Sequence, residues 1–374
     1  MPEELPSDGV VRSVPVGFSL NRMAALVGTV GLVLAFTNIG VAGDPPVRNV
    51  AELADRLEKL REEVHVPAFS AAIAQGDRIV WSKGFGMADR EMSRPATPET
   101  IYHIASLTKT FASTIILQLV EEGKIDLEAP VSRYGVAIKD ADVVRVKHLL
   151  SHTSDDPPGA KYRYDGNRFG QLETVISAAS GHSFAELVCQ RIIRPLNLVH
   201  TAPNVRDAKS FAYANRDRDE FERHLAKGYE PDSQGQFALV EYPAIFNCSG
   251  GMISSATDVA RYSIALDQGQ FLKPASLARA FTPTKSTDGT DLPYGLGWFV
   301  TDQSGVKIVW HYGMWTANSA LIIKVPERRL AFVLLASSDR LSKTFRLGTG
   351  QLMNSPFARA FVEGFVLGDA SLPE

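Results

Sequence analysis

The sequence predicts an α+β fold. One antiparallel sheet is built from the N- and C-terminal parts of the chain, flanked by helices, with a large, mostly helical insertion between its halves. Three observations support this. Runs rich in β-branched and aromatic residues cluster near both ends, "AFSAAIAQ" and "RIVWSKGFG" on one side and "YGLGWFV", "VKIVWHYG", "SALIIKV" and "LAFVLLAS" on the other. The stretch between them, roughly 126–281, reads as helices joined by loops rich in Pro, Gly, Asp and Asn. With 374 residues, 45% of them hydrophobic and 22% charged, the chain can bury a substantial core, which sets aside disorder and coiled coil.

Taken in order, a first helix lies within Val47 to Glu63, where Leu53, Leu57 and Leu60 share a face. Gly76-Asp77 separates the next two runs and marks a β-hairpin. "IASLTKTFASTIILQLVEEGKI" is a long helix stopped at Gly123-Lys124. In the middle, "GQLETVISAAS", "FAELVCQRII" and "ATDVARYSIALDQG" carry helical patterns. The strands then return, with Pro326-Glu327-Arg328 as a turn, and "SPFARAFVEGFVLG" closes the chain as a helix. A cleft between sheet and insertion is the expected site.

At the N-terminus, Arg12 and Arg22 precede the apolar stretch "MAALVGTVGLVLAF", and small residues follow at Gly40-Val41-Ala42. That order predicts a signal peptide over residues 1–42, cleaved after Ala42, ahead of a catalytic domain over 43–374. The alternative is an uncleaved membrane tether through residues 23–42, since the apolar region approaches the ~20 residues a bilayer requires. Either reading places the domain outside the cytoplasm, periplasmic or secreted. The formal charge of -3, without a basic run, argues against nucleic acid and leaves a small molecule or short peptide as the expected partner. Cys189 and Cys248 are too few for a disulfide scaffold or a Cys-based zinc site. Pairing is open to them in an oxidising compartment; two separate buried thiols is the preferred reading.

Ser106-Leu107-Thr108-Lys109 is the candidate for chemistry. In a helix, three-residue spacing places both side chains on one face. Ser304-Gly305-Val306-Lys307 matches the same pattern but reads as a turn entering a strand, where that spacing points side chains to opposite faces. Ser106 also falls at the expected helix N-terminus, where backbone N–H groups lack intrahelical partners and favour developing negative charge. A lysine ordinarily keeps its proton to about pH 10.4, so Lys109 serves as a base only if burial or neighbouring positive charge lowers that value.

The surroundings of this pair carry a wider likeness. "IYHIASLTKTFASTIILQLVEEGKIDLEAPV" resembles the nucleophile region of serine β-lactamase-like hydrolases, the group of class C β-lactamases, D-alanyl-D-alanine carboxypeptidases and related esterases. "VKHLLSHTS", "YRYDGNRFGQLETVISAASG", "RIIRPLNLVHTA", "CSGGMISSATDVARY", "YGLGWFV" and "WHYG" follow in the matching order, so the likeness runs from about Pro67 to Ser338. It implies a β-lactamase/transpeptidase-like fold and an extracytoplasmic serine hydrolase that forms an acyl-enzyme on Ser106. Lys109 and Tyr164 would share proton transfer, and no cofactor would be required.

The other motifs match less completely. Tyr164 stands at the tyrosine of the family's Y-x-N motif, with Tyr162 as competitor. Gly166 occupies the asparagine position, and Asn167 comes one residue late for substrate amide contacts. His311-Tyr312-Gly313 takes the place of the family's K-T-G. Gly313 permits close approach to substrate, and the Met314 N–H is the implied second oxyanion donor. His311, mostly neutral above about pH 6.5, would be a weaker carboxylate anchor than lysine, which lowers the expectation of an efficient β-lactamase. An ester, a D-amino-acid peptide or amide, or a β-lactam are the expected substrates in that order. A catalytically weak or inactive binding or sensor protein with this fold is the alternative.

Two competing signals are set aside. His148 and His152 have zinc-pair spacing but lack the accompanying Glu and a third ligand, so no metal is expected. Gly181-His182-Ser183-Phe184-Ala185 only approximates a nucleophile elbow, and Ser183 with Glu186 reads as a capping box instead.

Overall fold

The computed structural model describes residues 45–155, 157–204, 208–242 and 245–373; the segment read as signal or tether lies outside them. Helix α1 (Val50–Glu63) starts where the Asn49 side chain accepts from the Ala51 and Glu52 N–H groups, and it buries Leu53, Leu57 and Leu60. Strands β1 (Ala68–Gln75) and β2 (Arg78–Asp89) form the expected hairpin, and β3 (Arg94–Pro95) adds an outer strand. After β4 (Tyr102–His103), a 3₁₀ turn at Ala105–Leu107 leads into α2 (Thr108–Glu121).

The insertion supplies α3 (Val146–Leu150), α4 (Gly166–Gly170), α5 (Leu172–Ser180), α6 (Phe184–Val188), α7 (Ala208–Ala214) and α8 (Arg218–His224). It continues through the ribbon β5 (Gly228–Pro231) and β6 (Phe237–Val240), then β7 (Ile253–Ser254), α9 (Ala256–Asp267) and α10 (Pro274–Ala280). Strands β8 (Phe299–Gln303), β9 (Val306–Trp315), β10 (Asn318–Val325) and β11 (Leu330–Ala336) precede α11 (Arg340–Lys343) and α12 (Pro356–Phe361).

The main sheet has seven strands in the order β3-β2-β1-β11-β10-β9-β8. Its two halves join where β1 pairs antiparallel with β11, Phe69 opposite Ala336 and Gln75 opposite Leu330. Central strands covered on both faces read as nearly continuous apolar runs. Phe69, Ile73, Phe332 and Leu334 pack on one face with Leu53, Leu57, Phe357 and Phe361 of α1 and α12. Ala72, Ala74, Ala320 and Ala331 turn to the other face, where small side chains let α2 and α9 approach closely through Phe111, Ile115 and Val259. The fully buried Lys324 of β10 reaches α9, where its ammonium donates to the Ser263 carbonyl at 3.2 Å, the Ser263 hydroxyl, and the Asp267 carboxylate at 2.9 Å.

Two local features differ from the sequence reading. The long helix begins only at Thr108, because Ile101 to His103 is extended, with Tyr102 and His103 paired to β7, and Ala105 has φ +45°, which breaks helical continuity. The β5–β6 ribbon was not anticipated: two four-residue strands around "DSQGQ" leave too short a pattern to separate from loop. Ser183 and Glu186 do form the capping box, and Cys189 and Cys248 are free, buried thiols.

Candidate active site

Ser106 rides on the 3₁₀ turn ahead of α2, and the turn is fastened from three sides. The Thr108 hydroxyl donates to the Ala105 carbonyl at 2.7 Å and accepts from the Met252 N–H at 3.2 Å. The Ile104 N–H donates to the Met252 carbonyl at 2.9 Å. Gly313 of β9 lies so close that a Cβ there would fall 2.3 Å from the Ile104 carbonyl oxygen and 3.2 Å from the Ala105 Cβ. Only glycine permits that approach. Together these contacts hold Ala105, a non-glycine residue, in the left-handed region directly before Ser106.

Lys109, one helical turn on, is fully buried. Its Nζ lies 3.0 Å from Ser106 Oγ and 2.7 Å from the Ser249 carbonyl oxygen. The aromatic faces of Tyr164 and Phe169 are 5.0 and 5.3 Å away. Burial pulls its pKa down to about 7, against the opposing pull of Asp165. Of the two causes the sequence allowed, burial acts; the charged side chain that acts on Lys109, Asp165, is an anion rather than a second cation. Ser304, by contrast, is exposed in the β8–β9 turn, away from any such environment.

Tyr164 lies beside the pair with its hydroxyl buried and without a formed hydrogen bond. Burial first, then Tyr312, push its pKa well above the usual phenol value, while the nearby Ser106 hydroxyl acts weakly the other way. Burial therefore holds Tyr164 as the neutral phenol. Tyr162 is spoken for, its hydroxyl donating to the Gly348 carbonyl at 3.0 Å. His152 braces the tyrosine loop. Its Nδ1 accepts from the Asp165 N–H at 3.1 Å, its carbonyl accepts from the Arg163 N–H at 2.8 Å, and its ring packs on Tyr164 with centroids 4.3 Å apart and planes tilted by 30°.

The remaining candidates are placed differently from one another. His311 is fully buried in β9 and uses both ring nitrogens. Nδ1 lies 2.6 Å from the Tyr312 carbonyl oxygen, so it carries the proton, and Nε2 accepts from the Tyr294 hydroxyl at 2.8 Å. Burial, then Lys109, lower its pKa to about 3. The expectation of a substrate-anchoring imidazole is thus corrected, because no ring nitrogen is left to bind a carboxylate and no charge to attract one. Asn167 is exposed on α4, whereas Gly166 faces the 249 loop, a Cβ there falling 3.9 Å from Ser249 Oγ. Met314, 39% exposed, follows Gly313 along β9. The sequence offers no sign of Ser249, Asp165 or Tyr294, and offers His152 only as half of a rejected zinc pair; their nearness to Lys109, Tyr164 and His311 reveals them.

A sheet covered by helices on both faces, with Ser-x-x-Lys opening the helix at its centre, is the arrangement of the β-lactamase-fold family of serine hydrolases. The chain belongs to the Beta-lactamase family, whose model matches residues 53–351. It is similar to penicillin-binding protein 4* of Bacillus subtilis, 25% identical over 310 residues that cover 71% of this chain and 67% of the relative. The chain spans 60% of the length of another curated relative, protein flp of Staphylococcus aureus, at 24% identity over 314 residues that cover 73% of this chain. Among solved structures, the octameric penicillin-binding protein homologue of Pyrococcus abyssi superposes with a TM-score of 0.70 at 24% identity, covering 81% of this chain and 76% of the other. A D-stereospecific amidohydrolase from Streptomyces sp. gives 0.63 at 25% identity, covering 78% and 94%.

Proposed function

We propose that the protein hydrolyses neutral esters or amides through an acyl-enzyme on Ser106, with Lys109 as the base. The observation that carries this is a fully buried lysine, its pKa near 7, 3.0 Å from the serine hydroxyl. In its neutral form Lys109 donates one N–H to the Ser249 carbonyl and turns its lone pair to the Ser106 O–H. Proton transfer to Lys109 accompanies attack of Oγ on the substrate carbonyl. The Ser106 and Met314 N–H groups receive the oxyanion. Tyr164, kept neutral, passes its phenol proton to the leaving group and takes one back from the Lys109 ammonium, so that the neutral Lys109 can then activate the water that releases the acyl group. The neutral, fully bonded His311 favours substrates without a free carboxylate, placing esters and amides ahead of carboxypeptidase or β-lactam substrates.

A fluorophosphonate probe read by intact mass tests the reading. Stoichiometric labelling that disappears in Ser106→Ala is expected, and a folded protein that takes no label contradicts it. Tyr164→Phe is expected to lower kcat for an ester with a poor leaving group by about 10²-fold, and for a nitrophenyl ester by much less, because a good leaving group needs no proton. Equal losses on both esters would remove Tyr164 from that step. We also propose an extracytoplasmic location, supported by the charged, apolar and small-residue order of residues 12–42. N-terminal sequencing of protein recovered outside the cytoplasm checks it, and retention in the cytoplasm contradicts it.

A further inference from the structure

The Ser249 carbonyl that accepts from Lys109 belongs to a tight turn, Asn247 to Gly250, in the loop before β7. The Asn247 N–H donates to the Gly250 carbonyl at 3.0 Å, and the Gly250 N–H donates back to the Asn247 carbonyl at 3.1 Å. Inside the turn Asn247 Oδ1 accepts from the Ser249 N–H at 2.7 Å. A backbone N–H only donates, so this bond fixes which way the amide faces. An asparagine bonded to the N–H two residues on forms an Asx turn, which stiffens the backbone between. The amide is also wedged against α4, where a Cβ on Gly170 would fall 3.3 Å from Asn247 Nδ2. The thiol of the buried Cys248 donates to the Glu173 carboxylate of α5 at 3.6 Å. Further along, Met252 ties the same loop to the nucleophile turn, its N–H donating to the Thr108 hydroxyl and its carbonyl accepting from the Ile104 N–H.

One loop thus touches both members of the Ser106–Lys109 pair. Lys109 Nζ has two polar partners among the described residues, Ser106 Oγ at 3.0 Å and the Ser249 carbonyl at 2.7 Å. The carbonyl engages one N–H, and that bond decides where the amine's lone pair points. Peptide groups are planar, so the direction of the Ser249 carbonyl follows the Gly250 N–H on the same plane. Asn247 holds that N–H through its backbone carbonyl and holds the preceding plane, which carries the Ser249 N–H, through its side chain. We propose that Asn247 is a positioning residue for the base: by fixing both peptide planes that flank Ser249, it aims the carbonyl that orients Lys109 toward Ser106. This rests on the reading of Lys109 as the base.

The test follows the rate of fluorophosphonate attachment to Ser106 against pH in the wild type, Asn247→Leu and Asn247→Asp. Leucine fills similar space without an acceptor, whereas aspartate keeps the acceptor and adds a charge. Asn247→Leu is expected to lower the plateau rate about tenfold or more, as a misplaced catalytic group does. Its bend moves to the acid side of pH 7, because a carbonyl bonds an ammonium more strongly than a neutral amine, and withdrawing it disfavours the protonated base. Asn247→Asp is expected to keep the plateau within about threefold and to move the bend above pH 7, since a nearby anion favours the ammonium. The titratable side chains around Lys109, namely Asp165, Cys248, His152, His311 and Tyr164, are the same in all three proteins, so the opposite shifts report the turn. A wild-type profile in Asn247→Leu overturns the proposal. So does a loss of rate in both variants with the bend unmoved, the mark of a merely structural role. If Asn247→Leu fails to fold, Asn247→Asp decides alone: an upward shift supports the proposal and an unmoved bend overturns it. A wild type that labels without a bend instead sinks the Lys109 reading on which the proposal stands.

Discussion

Lys109→Met is expected to lower kcat for ester hydrolysis by about 10³-fold, within the range typical of a positioned acid–base group. Methionine preserves the unbranched shape in the fully buried slot against Tyr164 and Phe169, so the loss reflects removal of the amine rather than collapse of the site. A steady-state assay alongside a circular dichroism spectrum checks both halves. The pH dependence has a definite sign. Because burial lowers the Lys109 pKa to about 7, the base is protonated and silent in acid, and the rate rises through about pH 7 to a plateau. A loss below about tenfold in a folded variant would place the base elsewhere.

Asp267→Ala carries the largest expected effect on stability. Lys324 is fully buried and its carboxylate partner only 8% exposed, so removing Asp267 strands a charge that water cannot reach. Loss of one partner from such a pair costs about 3–5 kcal/mol. In a thermal unfolding experiment this is a drop in midpoint on the order of 5–10 °C. The double variant Lys324→Met with Asp267→Leu removes both charges and is expected to recover most of the loss, since an apolar pair needs no counter-ion. Equal midpoints for the wild type and Asp267→Ala would show that Ser263 alone satisfies the lysine.

What was legible in the sequence was whatever depends on local periodicity. Leu53, Leu57 and Leu60 marked their helix face, Gly76-Asp77 its hairpin, and the spacing of Ser106 and Lys109 their common side. Both ends of the main sheet were readable because strands buried on two faces are long apolar runs. The chemistry of the pair was not readable. Burial sets the Lys109 pKa, and the groups around it include Phe169 and a Ser249 carbonyl 140 residues away. The motif position of His311 says nothing of the Tyr294 hydroxyl, which reaches it from the segment before β8 and occupies its Nε2. Tyr164 likewise gave no local sign that burial would hold it neutral.

The central claim is that a buried lysine, neutral near physiological pH, activates Ser106. The most direct measurement is the second-order rate of fluorophosphonate attachment to Ser106 as a function of pH. The rate is predicted to increase about tenfold per pH unit in acid, bend near pH 7 and stay level above it, with the bend absent in Lys109→Met. A rate that keeps climbing toward pH 10, as for an ordinary lysine, or a profile unchanged in Lys109→Met, would contradict the account.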